Sequence, residues 1–426
     1  MKKGRKFFYG WWVVIAIAIM TFTFSWTTFS IVLKQLMEQF QTGRGAISLA
    51  QSISVLGQGI AGIVAGRLLS RFRPRMFILW GSVVCGGCSI LLSLSPTLWY
   101  FFIFFCATGI AIGFNGVIST FTLLSRWFNR QWGTAVGIAQ AGGFIGMMAI
   151  TPLLGFIAAN YGWRATYLFS GLLVLIVNIP LVLFVTRDNP QSMGLLPDGE
   201  QPDDAAGAAS DTPAGQTGET RGGSTNTGIL TFLKSPALWL VFICFAFMGI
   251  GYSVVVNHLV SFLTDMQVSA TLAASALGFT VGLTAVAALT SGWLADKMSS
   301  RYVAILFTVL AVAGMLVLLS AHSMVQIWLF VVLYGLGIGA SGTLLPIITR
   351  DIFGAANFSV LFGLTNILFV IGCATGAPLA GFIFDATGSY QTGFIIVTAI
   401  FVGAILAIYF AFGAGPGPFR KLPTQK

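Results

Sequence analysis

Residues 151–157 read TPLLGFI and residues 377–383 read APLAGFI, 226 positions further along. The same offset superposes Gly66 on Gly292, Leu68 on Leu294, Arg75 on Arg301, Gly109 on Gly335, Gly113 on Gly339, Gly116 on Gly342 and Gly137 on Gly363. It also superposes Pro152 on Pro378, Gly155 on Gly381 and Gly162 on Gly388. A single offset held over such a span is the signature of an internal duplication.

The duplicated material is membrane-like. The 426 residues are 56% hydrophobic and 8% charged, with a mean hydropathy of +0.90, whereas soluble domains carry about 25% charge. A helix that crosses a bilayer needs about 20 mostly apolar residues. Twelve such segments are placed at 10–34, 46–66, 76–95, 98–124, 133–159, 165–186, 236–263, 272–294, 302–321, 325–348, 359–384 and 390–412. The start, MKKGRK followed by FFYGWWVVIAIAIMTF, resembles a secretory signal. Its apolar stretch is too long and lacks a small-residue cleavage site, so it reads as a retained first helix.

Residues 198–228 break the pattern, being rich in Gly, Ser, Thr, Asp and Pro with few large apolar side chains. Such a stretch cannot bury enough surface to offset its ordering entropy and reads as a disordered linker. The expected organisation is a six-helix bundle at 1–187, a cytoplasmic linker at 188–235 and a second six-helix bundle at 236–426. An even helix count per half leaves both halves in the same orientation, so the fold expected is all-α, with parallel repeats about an axis along the membrane normal.

The net charge of +10 raises the question of nucleic acid. With both termini in the cytoplasm, the internal segments hold every cation except Lys34, Arg44 and Arg164. That asymmetry is the positive-inside pattern of an integral membrane protein, and nucleic acid is not needed to explain it. The five cysteines, Cys85, Cys88, Cys106, Cys244 and Cys373, all fall in apolar segments and imply no disulfide framework. No clustered His/Cys/Asp set, P-loop or phosphate cradle suggests an enzyme, a metal or a cofactor.

Between the second and third helices the chain reads GRLLSRFRPR (66–75), and between the eighth and ninth GWLADKMSSR (292–301). Both resemble the cytoplasmic signature of the major facilitator superfamily. The stretch SRWFNRQWGTAVGIAQAGG (125–143) is similar to the loop and fifth helix of that superfamily's monocarboxylate-porter and oxalate:formate-antiporter branches. GWRATYLFSG (162–171), HLVSFLTDM (258–266), SGWLADK (291–297) and RDIFG (350–354) extend the resemblance over nearly the whole chain. It implies a secondary transporter of a small organic acid, working by alternating access in the cell membrane, here a bacterial inner membrane.

The resemblance also implies a cytoplasmic gate, carried over to Gly66, Arg71, Arg75, Asp296, Lys297 and Arg301; Ser70 stands where the first copy should have its aspartate. Positive-inside loop charge alone would account for the arginines, but not for the repeated glycine-leucine frame. In the stretch 125–143, Arg126 and Arg130 are expected to cap helix ends, Trp127 and Trp132 to sit in the headgroup belt, and the glycines to give the fifth helix a narrow packing face.

A charge at the bilayer centre costs about 2.5 to 3.5 kcal/mol on insertion scales and usually marks a site. This sequence places none there. The arginine and lysine that the resembled branches present to a carboxylate fall on Ala288 and Phe369. Neutral polar and aromatic groups remain: the offset pairs Trp26 with Tyr252, Asn115 with Ser341 and Gln140 with Asn366. Trp26, Asn115, Gln140, Tyr252, Asn257 and Asn366 are therefore the substrate candidates, each also readable as a polar contact between helices. His258 is the one side chain able to change charge near neutrality without a large perturbation. It is the candidate for proton uptake, with Asp265 seven residues on along the same helix face.

Two cargoes fit: a small organic acid, with protons as the coupling ion, or a neutral or amphipathic metabolite taken up or exported through an aromatic-rich cavity. A receptor-like sensor on the same fold is a third reading, from another class. The expected partners are the bilayer, a small-molecule substrate and protons, and the chain is expected to act as a monomer.

Overall fold

The computed structural model describes residues 8–24, 27–69, 71–128, 131–199, 234–354 and 358–414. The regular elements among them are helices: α1 (Gly10–Thr23), α2 (Thr28–Phe40), α3 (Arg44–Leu68), α4 (Pro74–Ser93), α5 (Leu98–Asn115), α6 (Val117–Trp127) and α7 (Trp132–Pro180). From residue 236 onward follow α8 (Pro236–Asp265), α9 (Ala270–Lys297), α10 (Ser300–Leu319), α11 (Met324–Gly339), α12 (Ser341–Phe353), α13 (Phe358–Thr387) and α14 (Gln391–Ala414). Most of the expected linker, and Trp26, lie outside the described residues.

The starts of the helices follow from local chemistry. Pro74 and Pro236 occupy first-turn positions, where a missing N–H costs nothing. Thr97 accepts from the Tyr100 amide, and Ser323 forms a capping box with Gln326. Eleven apolar runs among the described residues are long enough to cross a bilayer. One of them, Ala135–Val185, has 51 residues and breaks at Gly162, whose φ of 80° only glycine adopts without strain. Gly388, its counterpart at the 226 offset, has a φ of 70° and separates α13 from α14.

The structure divides three of the expected continuous segments. The first breaks at Phe24, where ψ is 87°, the fourth at Gly116, where ψ is −160°, and the tenth between Gly339 and Ser341. Small residues permit the last two interruptions, which fall within two positions of each other in the repeat.

The chain forms two compact units. One comprises residues 1–41 and 53–219, the other 42–52 and 220–426. The opening residues of α3 thus group with the second unit, although the sequence frame assigns them to the first bundle.

Within each unit the same contacts recur. A Cβ at Gly109 would run into the Ser54 carbonyl oxygen, and one at Gly335 would come 2.9 Å from the Thr280 carbonyl oxygen. Gly113 lies against Gln58 and Ala61, and Gly339 against Thr284 and Ala287. Every one of these partners is related by the 226 offset. The repeat is therefore a repeat of backbone approaches: α5 on α3 in the first unit, α11 on α9 in the second. Gly142, Gly143 and Gly146 of α7 likewise face Ala18, Thr21 and Phe22 of α1, while Gly372, the counterpart of Gly146, meets Ala246 of α8.

The core of the first unit corrects one expectation. Trp127 is fully buried, packed with Val13, Ile17, Ile78, Leu124 and Val182, instead of lying in the headgroup belt. Its indole N–H finds an acceptor in the Arg187 carbonyl at 2.8 Å, which makes its burial tolerable.

Gly109→Ala should lower stability by about 1–3 kcal/mol through overpacking, whereas Gly137→Ala, with nothing within 4 Å of the new methyl, should not. Thermal unfolding of the two purified variants compares them. Equal melting temperatures would mean that the α3–α5 approach is looser than described.

Candidate functional site

The sequence-derived candidates separate into three environments. In the first unit Asn115 is 3% exposed, and its Nδ2 donates to Ser82 Oγ at 2.9 Å. Ser82 is also 3.5 Å from Asn178 Nδ2, and Asn178 Oδ1 accepts from Thr23 at 2.9 Å. Sequence reading had not singled out Ser82, Asn178 or Thr23. Together they tie α1, α4, α5 and α7 through buried hydrogen bonds, so Asn115 is engaged inside its own bundle. Gln140 on α7 is half-buried and makes no hydrogen bond among the described residues.

In the second unit Tyr252 is half-buried, with its ring centroid 6.4 Å from that of Phe369. Phe369 holds the position where the antiporter branch is expected to carry a lysine, so an aromatic pair stands in place of that cation. Asn366 is exposed and, like Gln140, has no hydrogen bond among the described residues. Asn257 is 4% exposed; its Nδ2 donates to the Ser253 carbonyl at 2.8 Å, while its Oδ1 is buried without a partner.

His258 is wholly buried on α8. Its Nε2 lies 2.7 Å from the Ala377 carbonyl and its Nδ1 3.0 Å from Tyr390 Oη. A carbonyl only accepts, so Nε2 carries the proton, and in the neutral ring Nδ1 accepts from Tyr390. Beside it stands Arg44, a residue that sequence reading recorded only as one of three external cations. Arg44 is 5% exposed and its guanidinium pairs with Asp265 at 2.9 and 3.3 Å. It also lies 3.5 Å from the Phe384 ring centroid and 4.9 Å from that of Tyr390. The signal that could have found it was its placement beside an otherwise acidic set of helix ends.

The third environment is the basic ends of the helices. Arg75 donates through Nε to the Val182 carbonyl at 2.9 Å and through a terminal nitrogen to the Leu183 carbonyl at 2.6 Å. Its repeat partner Arg301 stacks on Tyr409, 4.1 Å from the ring centroid, and Tyr409 is the counterpart of Leu183. Both arginines therefore fasten the third helix of a repeat to its sixth, within one bundle. Lys297 lies over Trp293 at 3.8 Å, and Ser300 donates to Asp351. Arg71 is exposed, and the surroundings of Gly66 and Asp296 lie outside what is described.

A family model, that of the Major Facilitator Superfamily, matches residues 15–369 and, again, 283–426. The chain belongs to that superfamily. Its relatives include a protein named monocarboxylate transporter 13 from Bos taurus, 23% identical over 410 residues that cover 93% of this chain and 89% of the bovine protein. Among solved structures, a bacterial homologue of the human lysosomal transporter Spinster, inward-facing and occupied, superposes with a TM-score of 0.74. It is 15% identical and covers 96% of this chain and 98% of its own. A D-xylose–proton symporter gives a TM-score of 0.73 at 15% identity, with the same coverages. At those identities the structures speak for the fold alone.

Major facilitator proteins are membrane transporters and not enzymes. Among the described residues, no group of three His, Cys, Asp or Glu side chains is placed to hold a metal ion.

Removing the Asn115 side chain should cost about 1–3 kcal/mol, because the buried Ser82 hydroxyl loses its closer donor. Asn115→Ala should thus melt below the unsubstituted protein, and Gln140→Ala, which breaks no hydrogen bond, should melt with it. An unchanged melting temperature for Asn115→Ala would remove Asn115 from the buried network.

Proposed function

We propose that this major facilitator transporter moves a small organic acid, monocarboxylate-like, by alternating access coupled to protons. The observation that carries the cargo class is the full-length likeness to a protein named a monocarboxylate transporter. The chain crosses a bacterial inner membrane twelve times, counting the run split at Gly162 as two, with both termini cytoplasmic, and it works as a monomer. The bundles are 1–187 and 236–426, joined by the linker 188–235.

The cargo contacts in this reading are Trp26, Asn115, Gln140, Tyr252, Asn257 and Asn366, with Asn115 also held by Ser82 within its own bundle. Gln140 and Asn366 support this reading best: they are related by the repeat, and both have hydrogen-bonding capacity that no described residue uses. Arg71, Arg75, Asp296, Lys297 and Arg301, with Gly66, form the cytoplasmic gate. Two of its arginines act by keeping the gate-bearing helix ends rigid within their bundles.

His258 carries the proton. In its neutral form both ring nitrogens are already satisfied, so a second proton on Nδ1 requires the Tyr390 hydroxyl to stop donating there. Proton uptake is thereby linked to a change in the α8–α13–Tyr390 contact, the kind of link that coupling needs.

A second reading, a neutral or amphipathic cargo, is favoured by one observation: Tyr252 and Phe369 place an aromatic surface where a carboxylate-binding lysine is expected. Uptake into proteoliposomes under an inward proton gradient separates the two. Short monocarboxylates should accumulate, their matched amides should not, and His258→Ala should lose the stimulation by the gradient. Amides entering as fast as carboxylates would favour the neutral cargo, and full gradient-driven uptake by His258→Ala would end the proton role of that residue.

A further inference from the structure

Arg44 is the only arginine or lysine among the buried residues described. Its surroundings divide its holding into two independent parts. The backbone is fixed by one carboxylate: Asp385 accepts from the amides of Arg44 and Gly45, at 2.8 Å each. The side chain is held by another: Asp265, at the end of α8, takes two guanidinium nitrogens. Phe384 forms a floor beneath the guanidinium. With the backbone pinned by Asp385, the guanidinium can exchange its partner without moving the start of α3.

Two features mark the guanidinium as a receiving site and not a closed structural pair. A guanidinium offers five N–H donors in a planar fork matched to carboxylates. Here the buried Nε has no acceptor, so Asp265 does not saturate that fork. Exposure is also unequal: the Arg44 side chain is 6% exposed and that of Asp265 35%. Water can therefore take over solvation of the departing carboxylate, whereas Arg44 must always be given an anion, since a buried unpaired charge is strongly unfavourable.

We propose that Arg44 receives the carboxylate of an incoming organic acid, and that Asp265 is a resident carboxylate which holds the site until the ligand replaces it. The inference rests on the organic-acid reading given above. It names the cation that Ala288 and Phe369 fail to supply, and puts it at the first residue of α3, the opposite end from Arg67 in the last turn of that helix. Exchange of one carboxylate for another keeps the guanidinium paired at every stage. A neutral analogue cannot make that exchange, so the site selects for anions at entry while the deeper contacts remain neutral.

The test uses the purified full-length protein and thermal stabilisation by acetate, propionate, lactate and pyruvate, each against its amide. At least one carboxylate should raise the melting temperature and its amide should not. In Asp265→Asn the half-saturating carboxylate concentration should fall several-fold, because the competing anion is gone. Arg44→Lys should keep a weakened response, the point charge surviving without the fork, and Arg44→Gln should lose it. An unchanged or higher half-saturating concentration in Asp265→Asn overturns the proposal even if Arg44→Gln fails to fold. So does a full response in Arg44→Gln, which leaves the organic-acid reading standing. If no carboxylate in the series stabilises the unsubstituted protein, both fall.

Discussion

The close approach of helix backbones at glycine is the constraint on which the rest of this protein depends. In lipid there is no hydrophobic drive to bring helices together, so association rests on packing and on the hydrogen bonds that packing permits. Gly109 against the Ser54 carbonyl, and Gly335 against the Thr280 carbonyl, set how near α5 comes to α3 and α11 to α9. Gly113 and Gly339 extend each contact by one turn. Gly81 brings α4 equally close to α5, where Asn115 reaches Ser82, and Asn178 of α7 reaches Thr23 of α1.

That dependence explains what could be read from the sequence. Gly109, Gly113, Gly335 and Gly339 touch neighbouring backbone where a Cβ would not fit, which accounts for these members of the 226 offset; Gly137 and Gly363, with nothing within 4 Å, share the offset without that reason. The positive φ at Gly162 and Gly388 accounts for one more pair, since only glycine suits it. The apolar runs were legible because their length is set by the bilayer. Trp127 was misread because composition places a tryptophan beside a basic loop at the headgroups, whereas its position on α6 turns it into the core, with the Arg187 carbonyl as partner. Which way a side chain turns depends on tertiary packing, which sequence periodicity does not report.

The candidate site was legible only in its residue types. Gln140, Asn257 and Asn366 stood out because amides are rare in apolar helices, and His258 because it can titrate. Nothing in the sequence said that Asn115 would be consumed by Ser82, or that His258 would have both nitrogens bonded. Arg44 was misjudged most, since a cation at a helix end looks like a solvated charge until its neighbours are known. Its burial depends on Asp265, Asp385, Phe384 and Tyr390, which lie more than 200 residues away in sequence. Arg75 and Arg301 show the reverse: long side chains at repeat-related positions that both reach the last helix of their unit by different chemistry, hydrogen bonds in one case and an aromatic face in the other.

The proposed function requires turnover: a carrier that passes an organic acid across the membrane, rather than a sensor that binds one. Counterflow measures this without any ion gradient. Vesicles reconstituted with the protein and loaded with an unlabelled carboxylate should take up the labelled compound transiently and saturably, faster than empty vesicles do. If binding is demonstrable but no carboxylate or neutral analogue ever accelerates exchange from the opposite side, the chain is not a carrier and the account is contradicted.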